Sequence, residues 1–130
     1  QNGHLFRLAP GRPQLIDEVP SGRIHLDGRV LVAEGEGLAK NRRAMAHAGL
    51  LVVSLVLDGK GRVAAPPSVL ADGMPQPVAE AVERAVEEET RGSGRNDPDA
   101  LAESVRRAAR RAAHDAWGKK PVTRVLVTEV

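Results

Sequence analysis

The chain has 130 residues, 42% hydrophobic and 28% charged, enough for one modest core or for a small domain plus an extended arm, and too apolar for a disordered polymer. Its formal net charge is only +2 although its pI is about 9.5, a balance that permits nucleic-acid contact without requiring it. The absence of cysteine excludes disulfides and thiolate metal sites and points to an intracellular, cytoplasmic protein, and the longest apolar run, 50–53 resuming at 55–57, is too short to span a bilayer.

No basic-then-apolar signal opens the chain, and apolar Leu5 and Phe6 follow Gln1 almost at once, so a piece excised or processed from a larger protein is expected. Short apolar runs at 4–8, 14–19, 23–27 and 29–33 are separated by Ala9-Pro10-Gly11, Pro20-Ser21-Gly22 and Gly28. They predict a β-rich arm with turn punctuation and no large core of its own. Gly35-Glu36-Gly37 reads as a flexible joint. Residues 38–48 contain good helix formers, and Gly49 is placed to end a short helix.

Residues 50–57 are apolar at nearly every position, which predicts a buried strand. Asp58-Gly59-Lys60-Gly61 is a turn, and 62–65 begins a second strand that would pair with the first until Pro66-Pro67 breaks it or confines it to an edge. From Pro77, residues Val78, Ala81, Val82, Ala85 and Val86 recur at helical spacing, with Glu80, Glu83, Glu87, Glu88 and Glu89 opposite and Gly92-Ser93-Gly94 as the stop. Asp97 is the expected cap of the next helix, Pro98 its first residue and Gly118 its end. Leu101, Val105, Ala108, Ala109, Ala112, Ala113 and Ala116 form its apolar stripe. Pro121 opens a last strand at 122–130. The expected fold is therefore α+β: a three-stranded sheet with two helices on one face, preceded by a β-rich arm and linker. The boundaries read as 1–20 for the terminal strands of another domain, 21–48 for a linker with short strands and a short helix, and 49–130 for a small α+β domain.

Chemistry-bearing clusters are sparse. His4, His25, His47 and His114 are far apart and none has metal-ligand spacing. No nucleophile elbow or phosphate-cradling glycine loop occurs. Glu87, Glu88 and Glu89 occupy consecutive helix positions and point in different directions, so they read as a solvated face. The basic residues Arg106, Arg107, Arg110, Arg111, Lys119 and Lys120 are candidates for RNA phosphate contact, with ion pairing to the acidic helix as the competing reading. The apolar strand at 50–57 needs cover on both faces, which makes Val53, Leu55 and Leu57 candidates for a subunit contact.

Val19-Pro20-Ser21-Gly22-Arg23-Ile24-His25-Leu26-Asp27-Gly28 resembles the stretch at which ribonuclease J enzymes, of the metallo-β-lactamase/β-CASP nucleases, leave the β-lactamase fold for a linker. Asn2-Gly3-His4-Leu5-Phe6-Arg7-Leu8 resembles the strand before it, with His4 where an acidic residue is expected. Asn41-Arg42-Arg43-Ala44-Met45-Ala46-His47-Ala48-Gly49 with residues 50–58 resembles the entry to that family's C-terminal domain, and residues 121–130 its closing strand. The resemblance implies a non-catalytic C-terminal portion of a zinc-dependent ribonuclease acting from the 5′ end and internally, in RNA degradation and processing. It also implies partners: the rest of the parent nuclease, further copies in a homo-oligomer, and RNA through the parent. It further implies that no catalytic or metal-binding residue and no cofactor belongs to this chain, the zinc being held by the parent. A stand-alone nucleic-acid-binding module and a small scaffold protein remain as alternatives. Residues 1–36, of little use to a stand-alone module, and the modest net charge argue against them.

Overall fold

In the computed structural model, which describes residues 2–34, 37–91 and 97–130, the chain divides into two compact units, residues 1–39 and residues 40–130. The expected joint at Gly35-Glu36 and the helix stop at Gly92-Ser93-Gly94 lie outside the described residues.

The first unit is built from two antiparallel hairpins. Strand β1 (His4–Arg7) pairs with β2 (Gln14–Glu18), with a register shift between Leu5 and Phe6. Strand β3 (Ile24–Asp27) pairs with β4 (Val30–Ala33) through a two-residue connection that begins with Gly28 at φ 64°. Glycine adopts that left-handed backbone without the steric cost a Cβ would bring. Strands of four or five residues in separate pairs bury little: Leu8, Ile24, Leu26 and Leu31 are largely exposed, and among the described residues Val32 is the buried apolar side chain of this unit.

Residues 40–130 hold the core. Helix α1 (Leu38–Ala48) ends at Gly49, whose φ of 73° and N–H to the Met45 carbonyl form a left-handed stop. Strand β5 (Leu50–Leu57) is central in a sheet of order β6-β5-β7, antiparallel to β6 (Ser68–Asp72) and parallel to β7 (Val122–Glu129). Helices α2 (Gln76–Thr90) and α3 (Pro98–Trp117) form the crossover between β6 and β7. The expected α+β plan is the one observed.

Two features of the sheet depart from the sequence reading. The antiparallel partner strand of β5 is not 62–65 but Ser68–Asp72, beyond the prolines. The stretch before them makes only a bridge, Leu57 to Val63, and the Ala64 N–H donates to the Val56 carbonyl. Pro66 and Pro67 interrupt this pairing and leave β6 as an edge strand, where a missing N–H is tolerated. The second correction concerns Val53, Leu55 and Leu57. With Leu51 they are fully buried and cluster with Val78, Val82 and Val86 of α2 and Leu101, Val105, Ala109 and Ala113 of α3. Side chains alternate across a strand, so these four share the helix-covered face and are withdrawn from any subunit contact. The open face carries Val52, Ser54 and Val56 with their cross-strand neighbours Leu70, Arg124, Leu126 and Thr128.

Helix α3 follows the expected caps. Asp97 Oδ1 accepts from the Asp99 and Ala100 amides at 3.0 and 3.3 Å, and Pro98 follows in the first turn. Gly118, at φ 76°, closes α3 with its N–H on the His114 carbonyl. Helix α2 starts after Pro75 without a side-chain cap. Glu89 departs from the solvated face expected of it: it is half-buried and accepts a hydrogen bond from Ser104 of α3.

Candidate functional site

The basic residues of α3 come at i, i+1, i+4, i+5, beside an apolar stripe that docks Leu101, Val105, Ala109 and Ala113 into the core. That spacing turns them to one flank of the helix. Arg106, Arg107, Arg110, Arg111, His114 and Lys120 line a shallow groove of about 390 Å³. Glu103, one turn N-terminal to Arg106 and Arg107, pairs with both. Arg106 donates through Nε and Nη2 to the two Glu103 oxygens at 2.7 and 2.8 Å, and Arg107 Nε donates at 2.7 Å. These hydrogen bonds, Arg106 first, hold the Glu103 carboxyl at about 2, and the same pairing raises Arg106. Arg106 and Arg107 are thus paired within their own helix.

The other half of the groove is lined by basic side chains with no carboxylate among them. The side chains of Arg110, Arg111, His114 and Lys120 have no hydrogen-bond or ion-pair partner among the described residues. On the far flank Arg111 also borders a second depression with Glu88, Glu89 and Asp115. Lys119 takes no part: its Nζ donates to the His47 carbonyl at 2.9 Å and lies 4.6 Å from the centre of the Trp117 ring. Five of the six basic candidates are therefore brought together, and His114 joins them. Its i+4 spacing from Arg110 was the signal available in the sequence.

The other polar constellation is structural. Asp58 accepts from the Lys60 and Arg62 amides through Oδ1 and from the Arg62 guanidinium through Oδ2, all at 2.9 Å. These Arg62 and Lys60 hydrogen bonds hold Asp58 at about 2 and tie off the turn after β5. The four histidines sit in β1, β3, α1 and α3, and no group of three or more potential metal ligands occurs among the described residues. No helix among them is long and apolar enough to cross a membrane.

Fold and groove together define a small α+β domain with a cationic flank, carried behind a pair of hairpins. The chain belongs to the Ribonuclease J C-terminal domain family, whose model matches residues 38–130. That match includes α1, whereas the sequence pattern starts the domain at residue 49. Over its whole length the chain is similar to Ribonuclease J of Sinorhizobium meliloti, at 39% identity. Over 94% of its length it is similar to Ribonuclease J of Corynebacterium glutamicum, at 24% identity. It spans 25% and 18% of the length of these two relatives.

Proposed function

We propose that this chain is the non-catalytic C-terminal portion of a zinc-dependent ribonuclease J-like enzyme that degrades and processes RNA from the 5′ end and internally. The observation that carries the reading is the match to the whole chain by relatives about four times longer or more. The scattered histidines do not fit a zinc site, so the metal would be held by the preceding body of the enzyme. The exposed apolar side chains of the hairpins, Leu8, Ile24, Leu26 and Leu31 among them, suit a segment that completes a larger surface. The test compares RNA hydrolysis by the 130-residue chain and by the whole encoded protein. Chelator-sensitive hydrolysis by the whole protein alone is expected; metal-dependent cleavage by the 130-residue chain would overturn the assignment.

The domain's second task in this reading is assembly through the open sheet face, with a second copy as its occupant. The face is apolar at Val52, Val56, Leu70 and Leu126, and carries Asp72 on β6 and Arg124 on β7, opposite charges at opposite edges. A two-fold axis running along β5 lays β7 of one copy over β6 of the other, which sets each Arg124 towards an Asp72. The face is thus self-complementary in charge as well as in apolarity.

A further inference from the structure

We propose that the α3 groove binds the phosphodiester backbone of RNA, with Arg110, Arg111, His114 and Lys120 as contacts and Glu103 as the boundary of the site. The proposal deepens the ribonuclease reading by placing an RNA contact outside any catalytic centre. The groove separates basic residues that are spent from those that are available. Arg106 and Arg107 face Glu103, and Lys119 is held by the His47 carbonyl and Trp117. Arg110, Arg111, His114 and Lys120 converge on one depression, and Arg110, Arg111 and Lys120 bring three formal positive charges with no carboxylate lining that depression, Arg111 bordering Glu88, Glu89 and Asp115 only on its far flank. Guanidinium groups offer paired donors that match phosphate oxygens.

The chemistry recognised is a backbone and not a base sequence. No aromatic ring lines the groove, and Trp117 is already covered by Lys119, so there is no platform for stacking bases. From Arg107 to His114 the helix advances on the order of 10 Å, room for two or three phosphates of a strand. An acidic protein surface is the rival occupant, for example the Glu80–Glu83–Glu87 flank of α2 in a second copy. The relatives' names favour RNA.

The experiment is fluorescence anisotropy of a short labelled oligouridylate titrated with the 130-residue chain across a series of salt concentrations. Three proteins are compared: the unmodified chain, the Arg110→Ala/Lys120→Ala double variant, and Arg84→Ala, which removes an exposed cation of α2 that belongs neither to the groove nor to the open sheet face. Both substituted helix and loop positions are exposed, and thermal melting checks that each variant is folded. Loss of two phosphate contacts is expected to weaken binding roughly ten-fold at low salt and to flatten the log–log salt slope by about 1.4, while Arg84→Ala binds as the unmodified chain does. Equal binding by the double variant, an equal loss in Arg84→Ala, or no binding by the unmodified chain overturns the proposal. So does a double variant that keeps its RNA affinity and instead loses self-association, which would assign the groove to an acidic protein surface. Hydrolysis by the whole protein, the test of the broader reading, is unaffected by any of these results and fails or stands separately.

Discussion

Gly49 is the residue on which the domain's geometry is most exacting. Its φ of 73° disfavours any side chain, and a Cβ there would collide with the Asp72 carbonyl oxygen at the end of β6. Its own carbonyl accepts from the Val122 amide at the start of β7, so one position joins helix α1 to both edge strands. Gly49→Ala is expected to cost about 2 kcal/mol or more, read as a lower urea midpoint at unchanged slope. Gly28→Ala, also at positive φ but with open space around it, is expected to cost about 1 kcal/mol, the backbone part alone. Glu103 sets a pH dependence. Its folded pKa of about 2 lies below the ordinary 4.5, so its contribution to stability is present above 4.5 and is lost as pH falls towards 2. Glu103→Gln should therefore flatten the acid limb of the stability curve in that window and leave the region above it parallel to the unmodified chain. Its exposure keeps the effect small. An unchanged acid limb would remove Glu103 from the titration.

Among the elements, β5 decides the fold because it is the one strand paired on both sides and covered by both helices. Each Leu buried there contributes roughly 1.5–3 kcal/mol through the water it releases. Val53→Glu or Leu55→Glu puts a carboxylate with no partner into that core and is expected to unfold the domain. Leu126→Glu, on the open face and 57% exposed, should leave melting close to unchanged at concentrations where the unmodified chain is monomeric. Circular dichroism melts of the three variants separate the faces; a folded Val53→Glu would place the core on the wrong side of the sheet. Helix α3 is anchored by the same logic at both ends, by the Asp97 side chain and by Gly118.

At the scale of the whole molecule, the open sheet face makes the oligomer a measurable quantity. Light scattering should find the 130-residue chain associating with increasing concentration. Leu126→Glu should give a folded monomer, and so should Arg124→Asp alone. Combining Arg124→Asp with Asp72→Arg is expected to restore association, since the swap keeps opposite charges at the two edges. A chain that stays monomeric at every concentration, or a swap that restores nothing, would leave this face without the second copy assigned to it.

The order strand, helix, helix, strand was legible because it rests on local signals: Asp97-Pro98 at a helix start, Gly49 and Gly118 at helix ends, and apolar residues at helical spacing in α2 and α3. The strand at Ser68–Asp72 was not, since five residues of mixed character next to two prolines have no periodicity to distinguish them from loop. Nor was the choice of face on β5. Leu51, Val53, Leu55 and Leu57 and their neighbours Val52 and Val56 are equally apolar, so alternation reveals two faces without saying which one the helices cover. The groove shows the same division. The arginine pairs were evident in the sequence, but an arginine does not declare its partner: that Glu103 takes Arg106 and Arg107, that His47 takes Lys119, and that Lys120 and His114 close the groove are consequences of where α3 ends and how it packs. The sequence by itself determined the helices, the central and closing strands, the ends of α1 and α3 and the charge they carry, because those depend on residues a few positions apart. The tertiary structure alone decided which apolar face is buried and which cations are left available, because both depend on contacts between residues distant in the chain.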